Sequence, residues 1–116
     1  HYCAPSYKSN MRRALMFLVE APLGKEHFVT HDGHHASGLR APPANHQSVV
    51  ALGKYSPDGK WNACKTHVKM ELDGKEVMVP QTPLVPTGVD GTFHHNEILV
   101  YQESQARIRY VLEFDW

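Results

Sequence analysis

The sequence is poor in cysteine, in net charge and in long apolar runs. Its two cysteines, Cys3 and Cys64, lack the C-x-x-C spacing of a zinc or redox site, so a reduced intracellular protein is the simplest interpretation, with one disulfide as the alternative. Twelve Lys and Arg residues balance twelve Asp and Glu residues, so no net field attracts nucleic acid or an anionic membrane surface. No apolar run approaches the roughly 20 residues of a membrane span.

The length of the chain limits its organisation. A chain of 116 residues can build one small domain with its own core, but not two independent domains. It begins at His1 rather than at Met, so we expect a piece of a longer protein or a processed product. No repeat, low-complexity tract or linker divides it.

The first half of the chain predicts strands separated by a long connection. The continuous apolar run Arg13–Val19 is typical of a central strand buried on both faces. The segment Gly24–Asn45, rich in Gly, Pro, His and Asp, predicts a long surface connection. A second strand is expected at Ser48–Tyr55, followed by a turn at Ser56–Gly59. Only Ala4–Met11 is compatible with a short helix.

The second half shows clearer alternation. Thr66–Leu72 predicts a half-exposed antiparallel strand, and Asp73-Gly74 predicts a hairpin turn into the return strand Glu76–Val79. Prolines and glycines within 81–96 exclude a regular element there, so a loop is expected. From Gln105 to Trp116 apolar and polar residues alternate with period two, which indicates a last strand.

Glu97 is the acid that most needs an explanation. It stands at the start of Asn96-Glu97-Ile98-Leu99-Val100-Tyr101, where the following residues are almost entirely apolar. A carboxylate held in a cleft at such a position would have a functional reason to be there. The ordinary alternative is a glutamate at a strand end that reaches solvent.

Several short blocks, in order, carry a resemblance to a known family. They are Tyr2-Cys3, Leu18-Val-Glu-Ala-Pro-Leu-Gly24, Ser48-Val-Val-Ala-Leu-Gly-Lys54 with Pro57-Asp58, Leu72-Asp-Gly-Lys-Glu-Val-Met-Val-Pro80, Asn96-Glu-Ile-Leu-Val-Tyr101 and Ile108-Arg-Tyr-Val-Leu112. In this order and spacing they resemble the C-terminal part of the catalytic domain of the poly(ADP-ribose) polymerases, over almost the whole chain. The segment from Tyr101 to Glu113 is most similar to the DNA-damage-activated, mono-ADP-ribosylating branch.

This resemblance implies an activity and roles for three residues. The activity is transfer of ADP-ribose from NAD to a protein or a nucleic-acid end, with release of nicotinamide. Glu97 matches the catalytic glutamate, which holds the 2′-hydroxyl of the nicotinamide ribose and helps to activate the acceptor. Tyr2 matches the tyrosine that stacks on the nicotinamide ring. His95 stands where polymer-forming members tend to carry an acceptor-site tyrosine, so mono-transfer or short chains are expected.

The resemblance also implies a fold and a context. The expected fold is α+β and mostly antiparallel β, with residues 1–116 as the C-terminal portion of an ADP-ribosyltransferase domain with a split β-sheet. The family's other donor-site residues precede the Tyr2 position, so we expect the chain alone neither to bind NAD usefully nor to transfer ADP-ribose. The expected location is nuclear, with a protein acceptor, no membrane partner, and DNA contacted only through regions outside this chain.

Two alternatives remain open from the residues themselves. Histidines are frequent, and His31 and His34 have a plausible ligand spacing, but no fixed carboxylate or nearby cysteine supports them, so no metal site is expected. The alternative function is a catalytically silent, β-rich interaction or regulatory module. Retention of Glu97 favours the transferase.

Overall fold

The structure is a computed structural model that describes residues 13–33, 40–61, 67–81 and 83–115. In this part of the chain the regular elements are nine strands and one short 3-10 helix, Glu103–Gln105. The strands are β1 (Arg13–Glu20), β2 (Glu26–Val29), β3 (Ser48–Ala51), β4 (Tyr55–Pro57), β5 (His67–Leu72), β6 (Lys75–Pro80), β7 (Leu84–Pro86), β8 (Glu97–Val100) and β9 (Arg107–Asp115). The described chain is therefore mostly antiparallel β, as expected.

The chain divides into two compact units. One contains β1, the 3-10 helix and β9, and the other contains β2 to β8. In the first unit β1 and β9 form an antiparallel two-stranded ribbon, with Arg13 opposite Asp115 and Glu20 opposite Arg107. The register shifts between Leu18 and Val19, whose partners are Tyr110 and Ile108, so Arg109 is the extra residue of a bulge in β9.

The ribbon corrects one prediction. Arg13–Glu20 is a strand, but it is neither central nor buried, since Leu15, Phe17 and Val19 remain 60%, 53% and 46% exposed. A strand in a two-stranded ribbon has only one hydrogen-bonded neighbour, so an apolar sequence alone does not bury it. The strand predicted at the C-terminus is confirmed as β9.

The second unit is organised around β3, the central strand of the sheet β2-β3-β8. All four residues of β3 are buried, and Val49 and Val50 are 1% and 0% exposed. Two β-branched side chains between two neighbouring strands suit the crowded middle of a sheet. At the side of β2 the Trp61 indole N–H donates to Glu26 Oε2 at 2.8 Å.

Two short strands occur where loops were predicted. β2 lies inside the predicted connection 24–45 and pairs in parallel with β3, an arrangement that needs a long crossover segment. β7 lies inside the predicted loop 81–96 and pairs with β4, with Tyr55 opposite Pro86 and Pro57 opposite Leu84. Proline is tolerated in such a peripheral pair because its missing N–H need not serve a second neighbour.

The predicted hairpin is confirmed. β5 and β6 pair antiparallel from His67 opposite Pro80 to Leu72 opposite Lys75. Asp73 and Gly74 connect them with φ values of 51° and 73°, the left-handed conformation that a two-residue hairpin turn requires. The helix predicted at Ala4–Met11 lies outside the described residues.

Candidate functional site

Glu97 is the first residue of β8, opposite Ala51 in the antiparallel pair with β3. Its side chain is exposed, so the prediction of a buried acid held in a cleft is wrong for this structure. The physical reason is that β8 has β3 as its only paired strand among the described residues, and the apolar neighbours Ile98 and Leu99 are themselves 48% and 50% exposed. An apolar sequence around an acid indicates burial only if other elements cover it.

Backbone hydrogen bonds fasten the segment that leads into Glu97. The Lys54 amide donates to Phe93 O at 3.0 Å, and the Tyr55 amide donates to His94 O at 3.1 Å. These two bonds hold residues 93–94 beside the end of the central sheet. The chain therefore enters β8 from a fixed position rather than from an unattached loop.

Gly53 brings two backbones into direct contact at this point. A Cβ on Gly53 would lie 2.3 Å from the carbonyl carbon of His95 and 2.7 Å from the amide nitrogen of Asn96. Only glycine permits this approach without movement of the backbone. The peptide between His95 and Asn96 therefore packs directly against the backbone of Gly53.

The side chain of Asn96 completes the attachment. The Gly53 amide donates to Asn96 Oδ1 at 2.8 Å, and Asn96 Nδ2 donates to Ser56 Oγ at 3.0 Å. Ser56 is 2% exposed and also hydrogen-bonds through Oγ to Lys60 O at 3.2 Å. The residue before Glu97 is therefore joined to the end of β3 and to β4.

Thr87, just after β7, holds the other side of Gly53. Its hydroxyl donates to Gly53 O at 2.8 Å, and its amide donates to Lys54 O at 2.9 Å. The Thr87 hydroxyl also accepts a hydrogen bond from the Val89 amide at 3.1 Å. Both the N–H and the C=O of Gly53 thus bond to residues distant in sequence.

His95 belongs to a small group of rings on the surface beside Glu97. The His95 and His94 ring centroids lie 4.4 Å apart in an edge-to-face arrangement, and Tyr55 lies 4.9 Å from His94. Both histidines are exposed. His95 precedes Glu97 by two positions in the chain.

Of the three predicted site residues, the structure describes Glu97 and His95, which are two positions apart in the sequence. Tyr2 lies outside the described residues, as does His34 of the possible metal pair. Among the described residues no group of three or more His, Cys, Asp or Glu side chains is placed to hold a metal ion. No helix in the described part has the length and apolar character needed to cross a membrane.

Sequence reasoning missed the residues that hold Glu97 in place, namely Gly53, Ser56, Thr87 and Asn96. One signal was available: an isolated glycine at the end of an apolar strand indicates a close approach of two backbones. The sequence did not indicate which segment approaches Gly53, because Asn96 lies 43 positions away in the chain.

The arrangement presents one carboxylate on a braced backbone, beside three exposed rings. A carboxylate can accept hydrogen bonds from hydroxyl groups and can stabilise positive charge that develops nearby. The described residues thus provide one acid on a backbone that is held by hydrogen bonds.

Comparison with known proteins identifies the family. The sequence model described as the poly(ADP-ribose) polymerase catalytic domain matches residues 1–116. The chain therefore belongs to the family of poly(ADP-ribose) polymerase catalytic domains.

Individual relatives agree with this assignment. The chain is similar to protein mono-ADP-ribosyltransferase PARP3 of Mus musculus, with 43% identity over 84% of this chain, and of Homo sapiens, with 42% identity over 84%. The same protein of Gallus gallus is 39% identical over 90% of the chain. The matched region covers 17%, 17% and 19% of these relatives, so the chain spans less than a fifth of their length.

Proposed function

We propose that this chain is part of an NAD-dependent ADP-ribosyltransferase that moves ADP-ribose from NAD to a protein acceptor and releases nicotinamide. The observation that carries the proposal is the position of Glu97. It is exposed at the start of β8, and the residue before it, Asn96, is hydrogen-bonded to Gly53 and to Ser56. The relatives support it, since their names describe protein mono-ADP-ribosyltransferases. A nucleic-acid end is a second class of acceptor for the same chemistry.

Glu97 has two tasks in this proposal. Breaking the bond between nicotinamide and ribose leaves the bonding electron pair on nicotinamide, which departs as a neutral molecule without a proton donor. Positive charge builds on the ribose, and the Glu97 carboxylate stabilises it while accepting a hydrogen bond from the 2′-hydroxyl. The carboxylate also helps to activate the acceptor nucleophile as it attacks the anomeric carbon.

Tyr2 and His95 have supporting roles. Tyr2 stacks against the nicotinamide ring, a role carried over from the family resemblance. His95 lines the acceptor side, and an imidazole there in place of a tyrosine favours mono-transfer or short chains. NAD is the substrate, and the proposed chemistry assigns no step to a metal ion.

We place residues 1–116 at the C-terminal end of a larger catalytic domain with the α+β, split-sheet fold of ADP-ribosyltransferases. Two observations support this placement: the match covers under a fifth of the relatives, and large apolar side chains on β1, β8 and β9 are exposed. The remaining donor-site residues would come from the rest of that domain. A nuclear location, and contact with DNA through other regions, follow from the same resemblance.

The test is Glu97→Gln in the full-length protein that carries this chain. Removing one group that stabilises transition-state charge typically costs 10²- to 10³-fold in kcat, so we expect ADP-ribose transfer from labelled NAD to fall by at least about 100-fold. The thermal midpoint should change little, because glutamine has nearly the same size and shape as glutamate. Transfer is read by incorporation of label and by nicotinamide release.

The matched control is Glu71→Gln, which neutralises an exposed glutamate on the β5–β6 hairpin. It should retain the parental transfer rate. Unchanged transfer by the Glu97→Gln protein would overturn the assigned role. Absence of transfer by the parental protein would instead favour a catalytically silent interaction or regulatory module.

A further inference from the structure

Asn96 makes two hydrogen bonds with opposite roles. Its Oδ1 accepts from the Gly53 amide at 2.8 Å, and its Nδ2 donates to Ser56 Oγ at 3.0 Å. The backbone N–H can only donate, so the atom that faces it must be the amide oxygen, and the amide nitrogen must face Ser56. Because the carboxamide supplies one acceptor and one donor group, this pair of contacts fixes the orientation of the side chain.

The partners of Asn96 are themselves held in place. Ser56 is 2% exposed, lies in β4 and bonds through Oγ to Lys60 O at 3.2 Å. The Gly53 carbonyl accepts from the Thr87 hydroxyl at 2.8 Å. Hydrogen bonds that are partly shielded from water, and that form a connected network, resist displacement more than isolated surface bonds do.

The attachment determines the direction of the next side chain. Successive side chains of an extended segment point to opposite faces. Asn96 is half-buried and points toward Ser56, whereas Glu97 is exposed. Fixing the Asn96 side chain on the inner face therefore sets the face from which the Glu97 carboxylate projects.

We propose that Asn96 is a positioning residue, whose carboxamide joins Gly53 to Ser56 and thereby holds the backbone from which Glu97 projects. This inference rests on the proposed function, because it assigns the orientation of the acid to a residue that does not touch substrate. Asn96 acts on the rate of the chemical step rather than on the binding of NAD.

The test is Asn96→Ala in the full-length protein, with steady-state kinetics measured against NAD. A displacement of about 1 Å at a reacting group can cost about 100-fold in rate, so we expect kcat to fall roughly 10- to 100-fold. KM for NAD should stay within about threefold of the parental value, since the variant removes no proposed contact to NAD. Circular dichroism and the thermal midpoint establish the folded fraction to which kcat is normalised.

Ser56→Ala is the second variant, and it decides the matter if Asn96→Ala does not fold. It removes the acceptor of the Asn96 Nδ2 bond at a residue separate from Glu97, and we expect a smaller fall in kcat, roughly threefold to tenfold, with KM retained. The double variant should be no more than about twofold slower than Asn96→Ala, because both changes break the same connection. Gln81→Ala, at an exposed glutamine outside the strands, is the control and should leave kcat unchanged.

Two results would overturn the inference. One is a folded Asn96→Ala or Ser56→Ala protein with kcat within twofold of the parental value. The other is a rise in KM for NAD that accounts for the whole loss of kcat/KM, which would make Asn96 a binding residue. Either result leaves the proposed function standing if the Glu97→Gln protein is inactive and the parental protein transfers ADP-ribose.

Discussion

Gly53 is the residue on which the site most depends for its shape. It lies beyond β3, and its backbone contacts the peptide that joins His95 to Asn96. Its N–H and C=O both bond to side chains distant in the sequence, Asn96 and Thr87. A single residue without a side chain therefore brings together the end of the central strand and the start of β8.

Gly53→Ala is expected to lower the free energy of unfolding by about 1–3 kcal/mol. The added Cβ would stand 2.3 Å from the His95 carbonyl carbon, and relief of such overpacking requires a backbone shift. Urea denaturation of the purified protein, followed by circular dichroism, measures the loss.

Gly33→Ala is the matched control, because a Cβ there meets no atom within 4 Å. Its free energy of unfolding should stay within about 0.5 kcal/mol of that of the parental protein. Equal midpoints for the two alanine variants would show that the close approach at Gly53 is not needed for stability.

At the scale of elements, β3 supplies the buried centre of the second unit. Val49, Val50 and Ala51 are the buried apolar residues in the described part of the chain, and Ser48 is buried beside them. β3 has a paired strand on each side, β2 and β8. Because both of its edges are covered, its four residues are buried although the strand is short.

Val50→Ala is expected to cost about 2 kcal/mol of stability, since it removes two buried carbon atoms from a side chain that is 0% exposed. Ser48→Ala, on the same strand, should be neutral or stabilising by up to about 1 kcal/mol. The Ser48 hydroxyl is buried and has no hydrogen-bond partner among the described atoms, so its removal leaves no polar group unpaired. Urea midpoints of the two variants measured side by side check the contrast, and equal losses would contradict it.

The elements predicted correctly are those with a strong local pattern. The β5–β6 hairpin follows from alternation and from the Asp73-Gly74 pair, and β9 follows from its period of two. β2 and β7 were missed because each is very short and lies among turn-forming residues. Pairing with β3 stabilises β2, and pairing with β4 stabilises β7. A local sequence pattern does not show which distant strand will pair with a segment.

At the scale of the whole chain, exposed apolar surface is the main feature. On the β1–β9 ribbon Phe17 lies opposite Val111, and Leu15 lies two positions from Phe17 on the same face. These side chains are 53%, 57% and 60% exposed in that order. The Arg13–Glu113 ion pair at 3.2 Å lies on the same face, with Glu113 directly opposite Leu15. An exposed apolar cluster bordered by charged residues is typical of a surface that packs against further protein.

We expect the 116-residue chain, purified alone, to self-associate as its concentration rises. Replacing Leu15, Phe17 and Val111 together by Thr should shift the sedimentation profile toward the monomer, because threonine keeps the strand preference but removes most of the apolar area. Leu84→Thr with Val85→Thr, at exposed residues of β7, is the matched control and should leave association unchanged. Association of the triple variant as strong as that of the parental chain would show that this face is not responsible.

The sequence by itself determined the β-rich class, the hairpin, the last strand and the family, and it singled out Glu97 and His95. These depend on local alternation, turn chemistry and the order of short blocks, all of which are readable along one dimension. The tertiary structure decided that Glu97 is exposed, that the Arg13–Glu20 strand is not central, and that Gly53, Ser56 and Asn96 meet. Burial and hydrogen-bond partners depend on which distant segments come together, and a one-dimensional pattern does not contain that information.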